Sequence, residues 1–170
     1  MQAVGAGLVI ISCGAMGLTV ANSYRQRVQN LRQLAAFMQC LESEISYAHT
    51  ALPEVISRQK HEHTGAVRHF LSVLDAALAA GEGESFVAIW ERGLCILARN
   101  GLPAWLVDDL RHLGTALGQS DVAEQSKHLT LLQKRLEQAL EEARGEQGRQ
   151  AKLWSYLGFF SGLLLVLLLF

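Results

Sequence analysis

The sequence predicts an all-α protein, a six-helix antiparallel bundle with one transmembrane helix at each end. Three observations carry that reading. Apolar residues recur at spacings of three and four through the middle of the chain, and no stretch alternates as a half-buried strand would. Glycines, prolines and capping residues cut this middle into segments joined by short loops, which favour antiparallel neighbours. At either end an uncharged apolar run lies outside the zone, Arg25 to Lys152, that holds every Lys, Arg, Asp and Glu.

The end runs are Ala3 to Ala21 and Leu153 to Phe170, nineteen and eighteen residues long. A bilayer core needs about 20 mostly apolar helical residues, within a range of roughly 17 to 25. The chain therefore divides into a membrane helix at 1–22, a cytoplasmic bundle at 23–152 and a second membrane helix at 153–170. No basic residue precedes the first run, so it lacks the n-region of a cleaved signal peptide and reads as a retained anchor. Arg25, Arg27 and Arg32 follow it, and Arg144, Arg149 and Lys152 precede the second run. Basic flanks stay cytoplasmic, which places the middle domain there. Within the runs, Cys13, Gly17 and Ala21 form a small-residue row, and Gly158 and Gly162 a GxxxG, both suited to close helix packing in lipid.

Between Leu18 and Leu52 there is neither Gly nor Pro, so the first helix should continue out of the membrane. Leu31, Leu34, Met38, Leu41, Ile45 and Ala48 give it a heptad-like seam. Pro53 opens a short second helix reaching about His61, and Thr64-Gly65 breaks it. Val67, Phe70, Leu71, Leu74 and Leu78 mark the third helix, which Gly81-Glu82-Gly83 ends. Ser85 caps a fourth that buries Phe86, Ile89, Trp90, Gly93 and Leu97. Asn100-Gly101 stops it, and Pro103 starts a fifth carrying Leu106, Leu110, Leu113 and Leu117. After Gly118-Gln119-Ser120, Asp121 and Glu124 form a capping-box-like pair for a sixth, which buries Leu129, Leu132, Leu136, Leu140 and Ala143. Gly145 and Gly148 read as a hinge, or as a local cost in helix stability, ahead of the second run.

Chemistry-bearing motifs are scarce. There is no phosphate-binding GxxxxGK[ST], no GxSxG elbow and no HExxH. His61 and His63, two apart, point to different faces and read with Lys60 and Glu62 as a polar surface turn. Cys13, Cys40 and Cys95 lack paired spacing, so neither a disulfide framework nor a zinc site is indicated. Asp108-Asp109 reads as the wet face of the fifth helix. A net charge of −1 offers no basic field for nucleic acid. We expect no enzyme, no cofactor, no metal and no small-molecule substrate; Glu44, His49 and Asp121 do not form a convergent catalytic set. Glu44, beside the seam, is either a glutamate bonded within its own domain or a contact for a partner.

The text from Leu41 to Leu52, LESEISYAHTAL, resembles the LExEIxYxHTxL signature of the stage III sporulation protein AB family. Leu117-Gly118-Gln119-Ser120-Asp121 looks like that family's LGxxD loop, and Leu157 to Leu165 like its LGFxxGLLL tail. The likeness covers the whole chain. Ala51 departs from it, standing where the family usually has proline, with Pro53 two residues later. The resemblance implies a non-enzymatic membrane platform component of the mother cell–forespore channel complex in endospore formation. Its bundle would be similar to the type II secretion F domain, and it would recruit a secretion-type ATPase, the stage III sporulation protein AA. Other membrane subunits of the complex and membrane lipid would be further partners. The domain would face the mother-cell cytoplasm in the membrane around the forespore. Glu42, Glu44, Tyr47, His49, Gly118 and Asp121, all within the matching motifs, become the candidate partner-binding residues. A two-span helical adaptor with an unrelated cytoplasmic partner is the alternative.

Overall fold

The computed structural model describes the backbone of residues 2–48, 50–81, 83–119 and 122–169. Side-chain surroundings are described for 19–48, 50–81, 83–117 and 125–149, with Leu153 and Tyr156. Six α-helices and no strand occur among the described residues: α1 (Gln2–Ser43), α2 (Leu52–Gln59), α3 (Gly65–Ala80), α4 (Phe86–Arg99), α5 (Ala104–Gln119) and α6 (Val122–Leu169). A π-helical turn, Glu44–Ala48, closes α1. Among the described residues no helix is long and apolar enough to cross a membrane. The two expected spans fall almost wholly on residues outside the described side chains, Cys13, Gly17, Gly158 and Gly162 included.

The chain separates into two compact units, 1–28 with 141–170, and 29–140. In the first, Ala21 and Ala143 are buried, and Arg27 pairs with Glu146 at 2.8 Å. The α6 backbone continues unbroken through Gly145 and Gly148. The hinge is therefore not expressed as a break, and a methyl added at either glycine would meet only open space.

The second unit holds the main core. Short loops fold α2, α3, α4 and α5 back on one another in sequence. Pro53 sits in the first turn of α2, Ser85 Oγ accepts from Ala88 N at 3.3 Å, and Gly101 takes a left-handed φ of 87° after α4. Leu34, Leu41, Val67, Phe70, Leu74, Ile89, Trp90, Leu97, Leu106, Leu110, Leu113, Leu132 and Leu136 are all buried, as their helical spacing requires.

Two contacts set the spacing of the central helices. Gly93 of α4 takes the Phe70 ring; a Cβ there would lie 2.8 Å from Phe70 Cδ2. Gly114 of α5 takes the Trp90 indole in the same way, with Trp90 Nε1 at 2.7 Å from a Cβ at that position. The missing side chain lets the indole N–H donate to the carbonyl of Leu110, one turn earlier, at 2.8 Å. The only polar atom of this fully buried side chain is thereby satisfied.

An aromatic row runs through this core. Phe37 of α1 meets His63 edge-on at 6.2 Å and Phe70 at 6.4 Å, and Phe70 meets Trp90 at 5.2 Å. The expected surface turn at Lys60–His63 is corrected here. His61 and Glu62 are exposed, but His63 is buried because its ring packs on Phe37, while Nε2 reaches Gln59 Oε1 at 3.3 Å. Burial holds the His63 pKa below its ordinary value.

Gly114→Ala should destabilise the protein by about 1 to 3 kcal/mol, the usual cost of overpacking, although alanine is the better helix former. Gly145→Ala, in open space, should stabilise it by roughly 0.5 to 1 kcal/mol. Urea melts of both variants check this; equal effects would show that Trp90 moves freely.

His63 makes stability depend on pH in a fixed direction. Its neutral form is favoured in the fold, so the unfolded chain binds more protons below the ordinary pKa of 6.5. Its contribution is fully present above that value and is lost as pH falls through the lower folded pKa. The urea midpoint of the wild type should drop on acidification from about pH 7.5 to 5, and His63→Phe should remove part of that dependence.

Candidate docking surface

The signature stretch straddles the end of α1 and the π-turn. A π-turn is wider than an α-turn, so it shifts the phase of the residues that follow. This corrects the seam: Leu31, Leu34, Met38 and Leu41 are buried, but Ile45 is half-buried and Ala48 exposed. Phe37, which the heptad count passed over, is fully buried in their line.

Glu44 opens the π-turn and is engaged within its own unit. Its carboxylate accepts from Thr50 Oγ1 at 2.6 Å and pairs with Arg58 of α2; its carbonyl accepts from Thr50 N at 3.4 Å. The Thr50 hydroxyl, then the Arg58 guanidinium, hold this carboxyl below the usual range against the opposing effect of burial. Glu44 therefore ties the end of α1 to the link before α2 and to the last turn of α2. Nearby, burial and then the Glu44 charge push the Cys40 thiol up.

Glu42 points across to α6. One oxygen accepts from Thr130 Oγ1 and the other from Gln133 Nε2, each at 2.8 Å. Gln133 Nε2 also reaches the carbonyl of Met38 at 3.3 Å, and Ser46 Oγ meets Ser126 Oγ at 3.4 Å. Moving back along α1 from Glu42 to Met38 is moving forward along α6 from Thr130 to Gln133, so the two run antiparallel there. Thr50, Arg58, Thr130 and Gln133 carry these clamps. Sequence reading missed them because their partners lie up to 95 residues away.

Tyr47 is different in kind. It is 86% exposed, the most exposed of the large apolar side chains described. The turn whose polar groups are bound inward thus holds an aromatic ring outward. His49 and Asp121 lie outside the described residues; Gly118, expected in a loop, falls instead in the last turn of α5, because the helix runs on to Gln119.

A second surface feature lies between α5 and α6, which Asp109 and Arg135 bind together at 2.6 and 2.7 Å. Beside that pair opens a cavity of about 200 Å3, lined by Leu113, Leu132, Leu131, His112 and His128. Among the described residues no group of three His, Cys, Asp or Glu could hold a metal ion.

The second unit is thus a helical fold in which short polar clamps fix a turn that presents an aromatic ring. The family model for stage III sporulation protein AB matches residues 2–170. The chain belongs to that family. It is 31% identical to the stage III sporulation protein AB of Bacillus subtilis (strain 168), over 99% of both chains. A solved structure of stage III sporulation protein AB (SpoIIIAB) superposes with a TM-score of 0.65 at 29% identity, covering 73% of this chain and 98% of that one.

Glu44→Ala should leave the core intact while loosening the π-turn. Amide exchange should quicken from Thr50 through Arg58 and stay unchanged in α4 and α5. Uniform protection across Thr50–Arg58 in the variant would show that the clamp is redundant.

Proposed function

We propose that this chain is a non-enzymatic platform component of the mother cell–forespore channel complex of endospore formation. It recruits a secretion-type ATPase, the stage III sporulation protein AA, to the membrane. Membership of the stage III sporulation protein AB family supports a sporulation role. The observation that carries the docking role is Tyr47, held 86% exposed by a turn whose charged groups are already engaged. Interface anchors are enriched in such aromatics. Tyr47 is the ring of the recruitment surface, with His49, Gly118 and Asp121 as further contacts; Glu42 and Glu44 act from behind by fixing the turn.

The membrane part of the proposal rests on the sequence. The uncharged runs at 3–21 and 153–170 are the two spans, and packing between them or with other membrane subunits uses Cys13, Gly17, Ala21, Gly158 and Gly162. Their basic flanks set the central domain, a six-helix antiparallel bundle similar to the type II secretion F domain, on the mother-cell cytoplasmic side.

The full-length chain in lipid nanodiscs should bind the purified ATPase, measured by interferometry with and without nucleotide. Tyr47→Ala should weaken binding about tenfold or more while leaving the melting midpoint in place. Absence of binding to the wild type under every nucleotide condition would favour the adaptor with an unrelated partner. Unchanged binding by Tyr47→Ala would move the recruitment surface elsewhere.

A further inference from the structure

An exposed leucine is ordinary by itself. Leu131 is 53% exposed, and three independent features surround it. It stands on the rim of the α5–α6 cavity, whose floor is the buried pair Leu113 and Leu132 and whose volume suits one large apolar side chain. Along the same edge of α5, one turn before Asp109, Trp105 is 43% exposed. These positions make an apolar strip along the seam of two helices, the shape into which an amphipathic helix lays its anchors.

The third feature is charge. Every titratable neighbour of Leu131 along α6 is basic: Lys127 four residues before, His128 three before, Lys134 three after and Arg135 four after. All four are exposed, and spacings of three and four put them on the face of Leu131. From Gln125 to Leu136 the helix has no Asp or Glu. On the α5 side, Asp109 is engaged by Arg135, and Asp108 by Arg111. Arg111 also reaches Glu91 at 3.4 Å. Lys127 and Lys134 make no ion pair with any described residue. Beside the groove, then, stand two lysines with no ion pair among the described residues, with Glu137 following one turn beyond Lys134.

We propose that the α5–α6 groove docks an acidic amphipathic helix of a partner protein, with one large apolar side chain entering the cavity beside Leu131 and carboxylates facing Lys127 and Lys134. A basic helix would meet like charge there, and an apolar one would leave the lysines without partners, so the acidic helix is the occupant the surface selects. The groove begins within two turns of Ser126, which meets the π-turn at Ser46. The inference rests on reading this domain as a docking module and adds the chemistry of what docks.

The test uses the full-length chain in nanodiscs and a fluorescein-labelled synthetic helix of roughly four turns, with leucines at helical spacing and glutamates beside them. Control peptides replace the glutamates by lysine, or the leucines by serine. Fluorescence anisotropy should show saturable binding of the acidic peptide only, weakening with salt because exposed charges are screened over about 8 Å at physiological ionic strength. Leu131→Glu, and separately Lys127→Glu with Lys134→Glu, should each weaken it about tenfold or more. These positions are exposed, so the melting midpoint should hold. No binding of the acidic peptide, equal binding of the lysine peptide, or binding unaffected by both variants would overturn the inference. A chain that binds the ATPase but not the acidic peptide retires the groove and keeps the platform; one that binds the peptide but not the ATPase does the reverse.

Discussion

The contact on which the second unit depends is that of the Trp90 indole with the backbone of α5 at Gly114. A tryptophan can be fully buried only if its N–H finds an acceptor, and the nearest strong acceptors in an all-helical core are carbonyls already used within helices. A helical carbonyl has a second lone pair, but side chains normally screen it. The absence of a Cβ at Gly114 exposes the carbonyl of Leu110, and the 2.8 Å bond follows. This fixes the approach of α4 to α5. Through the edge-on rings of Phe70 and Phe37 it also fixes the positions of α3 and α1. The row ends at His63, whose burial is a consequence of the same packing.

Against that rigid centre, the end of α1 is built from polar clamps. The π-turn takes α1 out of its seam, and Glu44 and Glu42 secure the displaced chain, one to Thr50 and Arg58, the other to Thr130 and Gln133. The two glutamates of the signature stretch are therefore spent on local order, and what they order is the outward Tyr47. A partner meeting this surface would find an aromatic ring on a turn that needs little further ordering, which lowers the entropy lost on binding.

The distribution of charge has its own logic. Several carboxylates are already neutralised by a cation: Asp75 by Lys60, Asp109 by Arg135, Glu84 by Arg92. Among the described residues Lys127 and Lys134 are left out of this pairing, on the helix that borders the open α5–α6 groove. Exposed ion pairs contribute little to stability, so the unpaired lysines cost the fold little and are available to a partner.

By itself the sequence determined the helix count, most helix limits and most of the core, because helical periodicity, proline and glycine breaks and the Ser85 cap are local signals. The spacing of Leu106, Leu110 and Leu113 needs no knowledge of what packs on it. It also carried the family, through the stretch from Leu41 to Leu52. The tertiary structure alone decided which polar residues were spoken for. Glu44 was legible as special but not as a partner of Arg58, Glu42 not as a clamp on Thr130, and His63 not as buried. Each depends on a contact whose other half lies in a different helix or loop, and periodicity within one helix says nothing about its neighbour. The π-turn belongs to the same class, since no local residue pattern distinguishes it from the α-helix it interrupts. So does the groove: its leucine and lysines stand plainly on α6, but only the packing of α5 against α6 makes a cavity beside them.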